Sequence, residues 1–278
     1  MEEVNINTSQ DNNSSLTYNY GGYEQVEFIM KVVTIIIICI GLPLTLVAIY
    51  AVRSLVKDDH VVPIYVINLL ITDLIQLCCM ITRVLPNPGS LLIYFYCLVV
   101  SIGFMVCIAL ERYLVIACPL WYRFRRTIKV SVLVCVLVWA LPAVIFYLLI
   151  TGRNSVTIGG ILLLLPLPLF IFFLGGTLKA LSASISVHSD EKRRIVGMLV
   201  LVLLIYTLLF LPSIILFLAW GSSDIDERNL YNLSLTFVQF SPLADLFLYI
   251  FMRKGTIDKL LASVCCRRMD SDDISSPV

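Results

Sequence analysis

The sequence predicts an all-α membrane protein, a seven-transmembrane helix bundle with a short C-terminal amphipathic helix. Three observations predict it. Of the 278 residues, 59% are apolar and 14% charged, with a mean hydropathy of +0.95. Soluble domains run about 45–50% apolar and about 25% charged, and no core of this length absorbs the surplus. The apolar residues fall in seven runs of spanning length, and the basic residues fall largely on one side of them. A soluble enzyme, a nucleic-acid binder and a disulfide-rich secreted domain are excluded by the same composition.

Residues 1–25 are polar and acidic and lack the basic start of a signal peptide, so a disordered extracellular tail is expected. Asn7, Asn12 and Asn13 head Asn-X-Ser/Thr sequons there, candidate glycosylation sites. The seven-transmembrane domain, 26–252, holds apolar runs at 26–54, 61–85, 90–118, 128–151, 159–183, 195–219 and 229–252. Each break has its own punctuation, such as Lys57-Asp58-Asp59-His60, Pro86-Asn87-Pro88-Gly89 and Thr151-Gly152-Arg153-Asn154. Residues 253–268 predict an amphipathic helix on the membrane surface, with Ile257, Leu260, Leu261 and Val264 at helical spacing. Cys265 and Cys266 beside Arg267 and Arg268 suit palmitoylation. The remaining 269–278 form a cytosolic tail whose Ser271, Ser275 and Ser276 lie near acids, a setting for kinase and arrestin control.

With the N-terminus outside, sixteen of the twenty basic residues lie on the inner side; only Lys31, Arg83, Arg153 and Arg228 lie in the outer half. That bias puts the N-terminus outside and the C-terminus in the cytosol; the plasma membrane is the expected location. All nine cysteines sit within spans or on the inner side, so no outer-loop disulfide is expected.

Certain residues recur in a telling order. Span two carries Asn68 and Asp73, and span three ends in Glu111-Arg112-Tyr113 before Pro119-Leu120-Trp121-Tyr122. Span four has Trp139, span five Pro168, span six Phe210-Leu211-Pro212, and span seven Asp245-Leu246-Phe247-Leu248-Tyr249. This ordered set resembles the rhodopsin-like (class A) G-protein-coupled receptors over about residues 26–266. The stretch from Pro119 to Leu141 is similar to Mas-related receptors and to the branch that senses protons, lipids and nucleotides.

The resemblance implies a receptor that turns binding of an extracellular ligand into heterotrimeric G-protein activation. Glu111, Arg112, Tyr113, Pro119, Leu120 and Tyr249 would serve coupling. Arg112 would be held by Glu111 at rest and meet the G protein when span six moves outward. Ile102, Pro168, Tyr206, Phe210 and Pro212 would form the activation switch. The acidic partner at the foot of span six falls at Lys192, with Glu191 one residue off, so a weak lock and appreciable basal activity are expected. Departures are several: Asn87 replaces the family's outer cysteine, Thr45 the span-one Asn, Gly176 the span-five Tyr and Leu246 the span-seven Pro. Pro242, one turn earlier, would shift that kink rather than abolish it.

Asp73, Ser101 and Asp245 map onto the family's mid-membrane sodium pocket, where oxygen ligands suit a small hard cation. A protonated, neutral Asp73 is the alternative. No other cofactor is expected. Arg83, ten residues beyond Asp73, lies about 15 Å further outward. It would either meet a carboxylate or phosphate head group or snorkel to the outer lipid surface. Tyr94, Phe95, Phe217, Tyr231 and Gln239, with Cys97, would complete an apolar pocket, although aromatics at such positions also serve plain helix packing. Tyr94 stands where amine receptors hold an Asp, which disfavours an amine, and Gln239 stands where opsins hold their Lys, which excludes a retinal Schiff base.

The expected ligand is therefore a lipid or small organic anion, with a peptide as the alternative. Partners are the G protein, arrestin and a receptor kinase, membrane lipids and the ligand; no nucleic acid and no catalytic constellation are expected. Two rivals stand beside the receptor. A non-signalling decoy or partner protein is favoured by Gly176 and Leu246 and opposed by Arg112. A transporter or channel would need a longer polar path than Asp73, Arg83 and Asp245 provide.

Overall fold

The computed structural model describes residues 10–57, 64–84, 88–118, 128–151, 155–183, 189–218 and 227–252. They form helices only: α1 Gln10–Lys57, α2 Ile64–Val84, α3 Pro88–Ala117, α4 Ile128–Thr151, α5 Ser155–Leu164, α6 Pro166–Ala183, α7 Ser189–Leu218, α8 Glu227–Gln239 and α9 Ser241–Met252. Among them run seven stretches long and apolar enough to cross a membrane, from Phe28–Val52 to Tyr231–Phe251. Spans one to four are α1 to α4, span five is α5 with α6, span six is α7, and span seven is α8 with α9.

Three boundaries differ from those read in the sequence. Helix α1 begins at Gln10, inside the segment expected to be an unstructured tail. A helix already nucleated in the membrane gains one hydrogen bond per added residue, and no proline interrupts it before Pro43. Span five is two helices, because Pro166 supplies no N–H and its ring crowds the preceding turn. The break falls at Leu165, whose N–H still reaches the Ile161 carbonyl at 3.1 Å. Span seven likewise breaks at Phe240, ahead of Pro242, where the Phe240 N–H turns back to the Phe237 carbonyl at 3.1 Å. The predicted surface helix 253–268, Cys265, Cys266, the tail, Asn7, Pro119 and Leu120 lie outside the described residues, as do the side chains of Asn12, Asn13, Glu191 and Lys192.

Span three is the axis of the bundle, packing against α2, α4, α6 and α7. Half of the most apolar window of spans two and three is buried, and 56% of that of span seven, against 11% in span four and 22% in span five. Spans two, three and seven therefore carry the interior, while span four shows lipid most of its surface. A polar knot fastens span four all the same. The Trp139 indole N–H donates to Asn68 Oδ1 at 3.1 Å, Asn68 Nδ2 donates to the Ile64 carbonyl at 2.9 Å, and the Tyr96 hydroxyl donates to the Trp139 carbonyl at 2.6 Å. With no water to take these groups, each must find its partner inside the protein.

Candidate functional site

At mid-membrane, Asp73 on α2 and Asp245 on α9 are fully buried. Their carboxyls stand within hydrogen-bonding reach of each other. None of the four carboxyl oxygens finds a donor among the described residues. Thr45 on α1, Gln76 on α2 and Ser241 on α9 are buried with equally unpartnered polar atoms. The spans that carry these groups pack together. Ser101 on α3 is also buried, its hydroxyl proton spent on the Leu98 carbonyl at 2.8 Å, which leaves oxygen lone pairs. Two buried carboxyls that face each other without a donor fit a hard cation, or a proton shared between them. Gln76 escaped the sequence reading, yet it lies three residues from Asp73 and so on the same helix face.

The outer-half residues expected to line one pocket divide. Tyr94 and Gln239 are buried. Tyr94 donates to the Val238 carbonyl at 3.2 Å, and Gln239 Oε1 lies 2.9 Å from the Thr34 hydroxyl, which also faces the Met30 carbonyl. Phe95 packs edge-on to Tyr94, with ring centres 5.6 Å apart. Phe217 instead fills a notch on span five: a Cβ added at Gly160 would lie 2.8 Å from the Phe217 Cβ. Tyr231 is exposed. The Arg83 side chain is outside the described residues, though its backbone closes α2. A further bond, Ser213 to Ser234 at 2.5 Å, ties span six to span seven.

Deeper, Tyr206 stacks on Phe210 at 4.9 Å and meets Phe170 at 5.2 Å, and all three are buried. The Tyr206 hydroxyl donates to the Leu163 carbonyl, in the turn opened by Pro166. Ile102 is buried, Pro212 half-buried within α7, and Pro168 exposed inside α6, so the kink of span five sits at Pro166 instead. At the inner end, Glu111, Arg112 and Tyr113 are half-buried on α3, as is Tyr249 on α9. Arg112 Nε is buried with no acceptor among the described residues. Tyr113 stacks on Phe173 at 5.7 Å and leans on Phe172. It enters the space left by Gly176, where an added Cβ would lie 2.6 Å from its ring.

The family description "7 transmembrane receptor (rhodopsin family)" matches residues 44–160. G-protein coupled receptor 68 of Mus musculus is 26% identical over 268 residues, covering 81% of this chain and 73% of its own length. G-protein coupled receptor 20 of Homo sapiens is 29% identical over 265 residues, covering 85% and 73%. Mas-related G-protein coupled receptor member A4 of Mus musculus matches 94 residues at 28%, or 30% of each chain. Seven spans with Asp73 and Asp245 facing each other, Glu111-Arg112-Tyr113 near one end of span three, and these likenesses point the same way: the chain is a seven-span membrane protein similar to the seven-transmembrane receptors of the rhodopsin family.

Proposed function

We propose that this chain is a plasma-membrane receptor, N-terminus outside, that converts binding of an extracellular ligand into activation of a heterotrimeric G protein. The observation that carries this reading is the state of Arg112: a permanently charged side chain whose buried Nε lacks an acceptor among the described residues. An outward movement of span six would offer the guanidinium the carbonyls of a G-protein helix. Two-state opening of the bundle then needs only that the ligand bind the open form more tightly. Relatives named G-protein coupled receptors support the same reading.

The test is ligand-free G-protein dissociation in cells, across the G-protein classes, with wild type and Arg112→Ala at equal surface levels. A basal signal in one class that disappears with Arg112→Ala is the expected result. A signal that survives the substitution removes Arg112 from coupling and favours the decoy reading. For the ligand we favour a lipid or small organic anion met by Arg83, and a response to anionic lipids that Arg83→Ala abolishes is expected. We assign the Asp73–Asp245 pair to a sodium ion that steadies the resting bundle; bound there, the ion supplies the positive charge that two neighbouring carboxylates lack. Arrestin and a receptor kinase are proposed partners of the tail, and Asn7, Asn12, Asn13, Cys265 and Cys266 are proposed modification sites.

A further inference from the structure

A proline inside a helix removes the N–H that the carbonyl four residues earlier would accept, and its ring opens the turn. In a membrane such an opened turn must be closed by another element. In three spans a tyrosine hydroxyl reaches a carbonyl in the turn before a proline, and in one of them it takes the freed acceptor itself. Tyr96 donates to the Trp139 carbonyl, three residues before Pro142, and Tyr206 to the Leu163 carbonyl, three residues before Pro166. Tyr94 donates to the Val238 carbonyl, four residues before Pro242 and therefore the acceptor that this proline leaves empty.

Span seven differs on the two sides of its break. Outside it, α8 is bound to spans one, three and six through Gln239, Val238 and Ser234. Inside it, the Ser241 hydroxyl has no hydrogen-bond partner among the described residues, and the Asp245 carboxyl faces only the Asp73 carboxyl. One half of the span is fastened and the other carries the unsatisfied groups, with Phe240 between them.

We propose that Tyr94 is the tether of a hinge in span seven: its hydroxyl holds the carbonyl that Pro242 frees, and a ligand acceptor that draws the hydroxyl away lets α9 move about Phe240. Tyr94 is thus a positioning residue that reads a carboxylate, phosphate or carbonyl oxygen on the ligand. The trigger rests on the receptor reading; the hinge does not.

Amide hydrogen exchange of the full chain in phosphatidylcholine nanodiscs, without ligand, tests the hinge. Tyr94→Phe is expected to speed exchange over residues 240–246 about fivefold, the factor equal to about 1 kcal/mol, the net worth of one hydrogen bond. Tyr96→Phe, which deletes a hydroxyl from the same helix but one tied to span four, leaves those amides unchanged. In a Pro242→Ala background the new N–H takes the Val238 carbonyl, and Tyr94→Phe then changes nothing further. No acceleration with Tyr94→Phe, an equal acceleration with Tyr96→Phe, or the same fivefold effect in the Pro242→Ala background each overturns the tether. The first two comparisons decide the matter should Pro242→Ala fail to fold. Ligand-free G-protein dissociation is recorded on the same variants. A Tyr94→Phe chain that loosens span seven without changing that signal upholds the hinge and counts against the coupling reading.

Discussion

A methyl group at position 176 would collide with the Tyr113 ring at 2.6 Å, and that ring is already wedged against Phe172 and Phe173. Gly176→Ala is therefore expected to cost about 1–3 kcal/mol through overpacking, read as a lower thermal midpoint of the purified receptor. Gly176→Ala combined with Tyr113→Leu should recover most of the loss, because the smaller side chain clears the space. At the buried carboxyl pair, the receptor should melt at higher temperature in sodium than in a bulky organic cation, since binding to the folded state alone stabilises by mass action. Asp73→Asn should abolish that difference; a sodium effect that persists in the variant would remove the pair as the site. The charged residues were readable in the sequence, because ionisable groups in apolar runs stand out. The carbonyl partners of Tyr94, Tyr96 and Tyr206 were not, since a backbone oxygen carries no residue signature and its partner lies on a distant span.

Among the elements, span four makes the sharpest contrast between its faces. Leu133, Val136 and Leu137 are exposed, whereas Trp139 is held by Asn68. Leu133→Ala and Val136→Ala should change stability by less than about 0.5 kcal/mol. Asn68→Leu, which strands the indole N–H, should cost roughly 0.6–2 kcal/mol, the range of hydrogen bonds between membrane helices. Chemical denaturation in mixed micelles separates the two. Span number and approximate limits were legible because run length and hydropathy suffice for them. The breaks at Leu165 and Phe240 were legible only in part. Pro168 and Pro242 were noted, but which of Pro166 and Pro168 opens span five depends on the packing of that turn, where the Tyr206 hydroxyl meets the Leu163 carbonyl. Helix α1 shows the opposite failing: composition marked its first residues as tail, and helical continuity carried the backbone through them.

Across the whole molecule, the seven-span architecture and the likeness to rhodopsin-family receptors were legible from hydropathy and ordered motifs, while the shape of a ligand pocket was not. Tyr94, Phe217 and Tyr231 were all expected to line one pocket, yet one is buried against span seven, one rests on span five and one is exposed. Rotation of each helix about its axis decides this, and rotation follows from packing rather than from spacing. Sealing of the outer bundle by Thr34–Gln239, Tyr94–Val238 and Ser213–Ser234 has a consequence for how the protein is made and handled. The seven described cysteines are free thiols, so among the described residues this end of the bundle is closed by hydrogen bonds rather than covalently. Its assembly then needs no oxidising compartment. The receptor should insert and fold in the inner membrane of bacteria that lack the periplasmic disulfide-forming enzymes, and dithiothreitol should leave its thermal midpoint where it was.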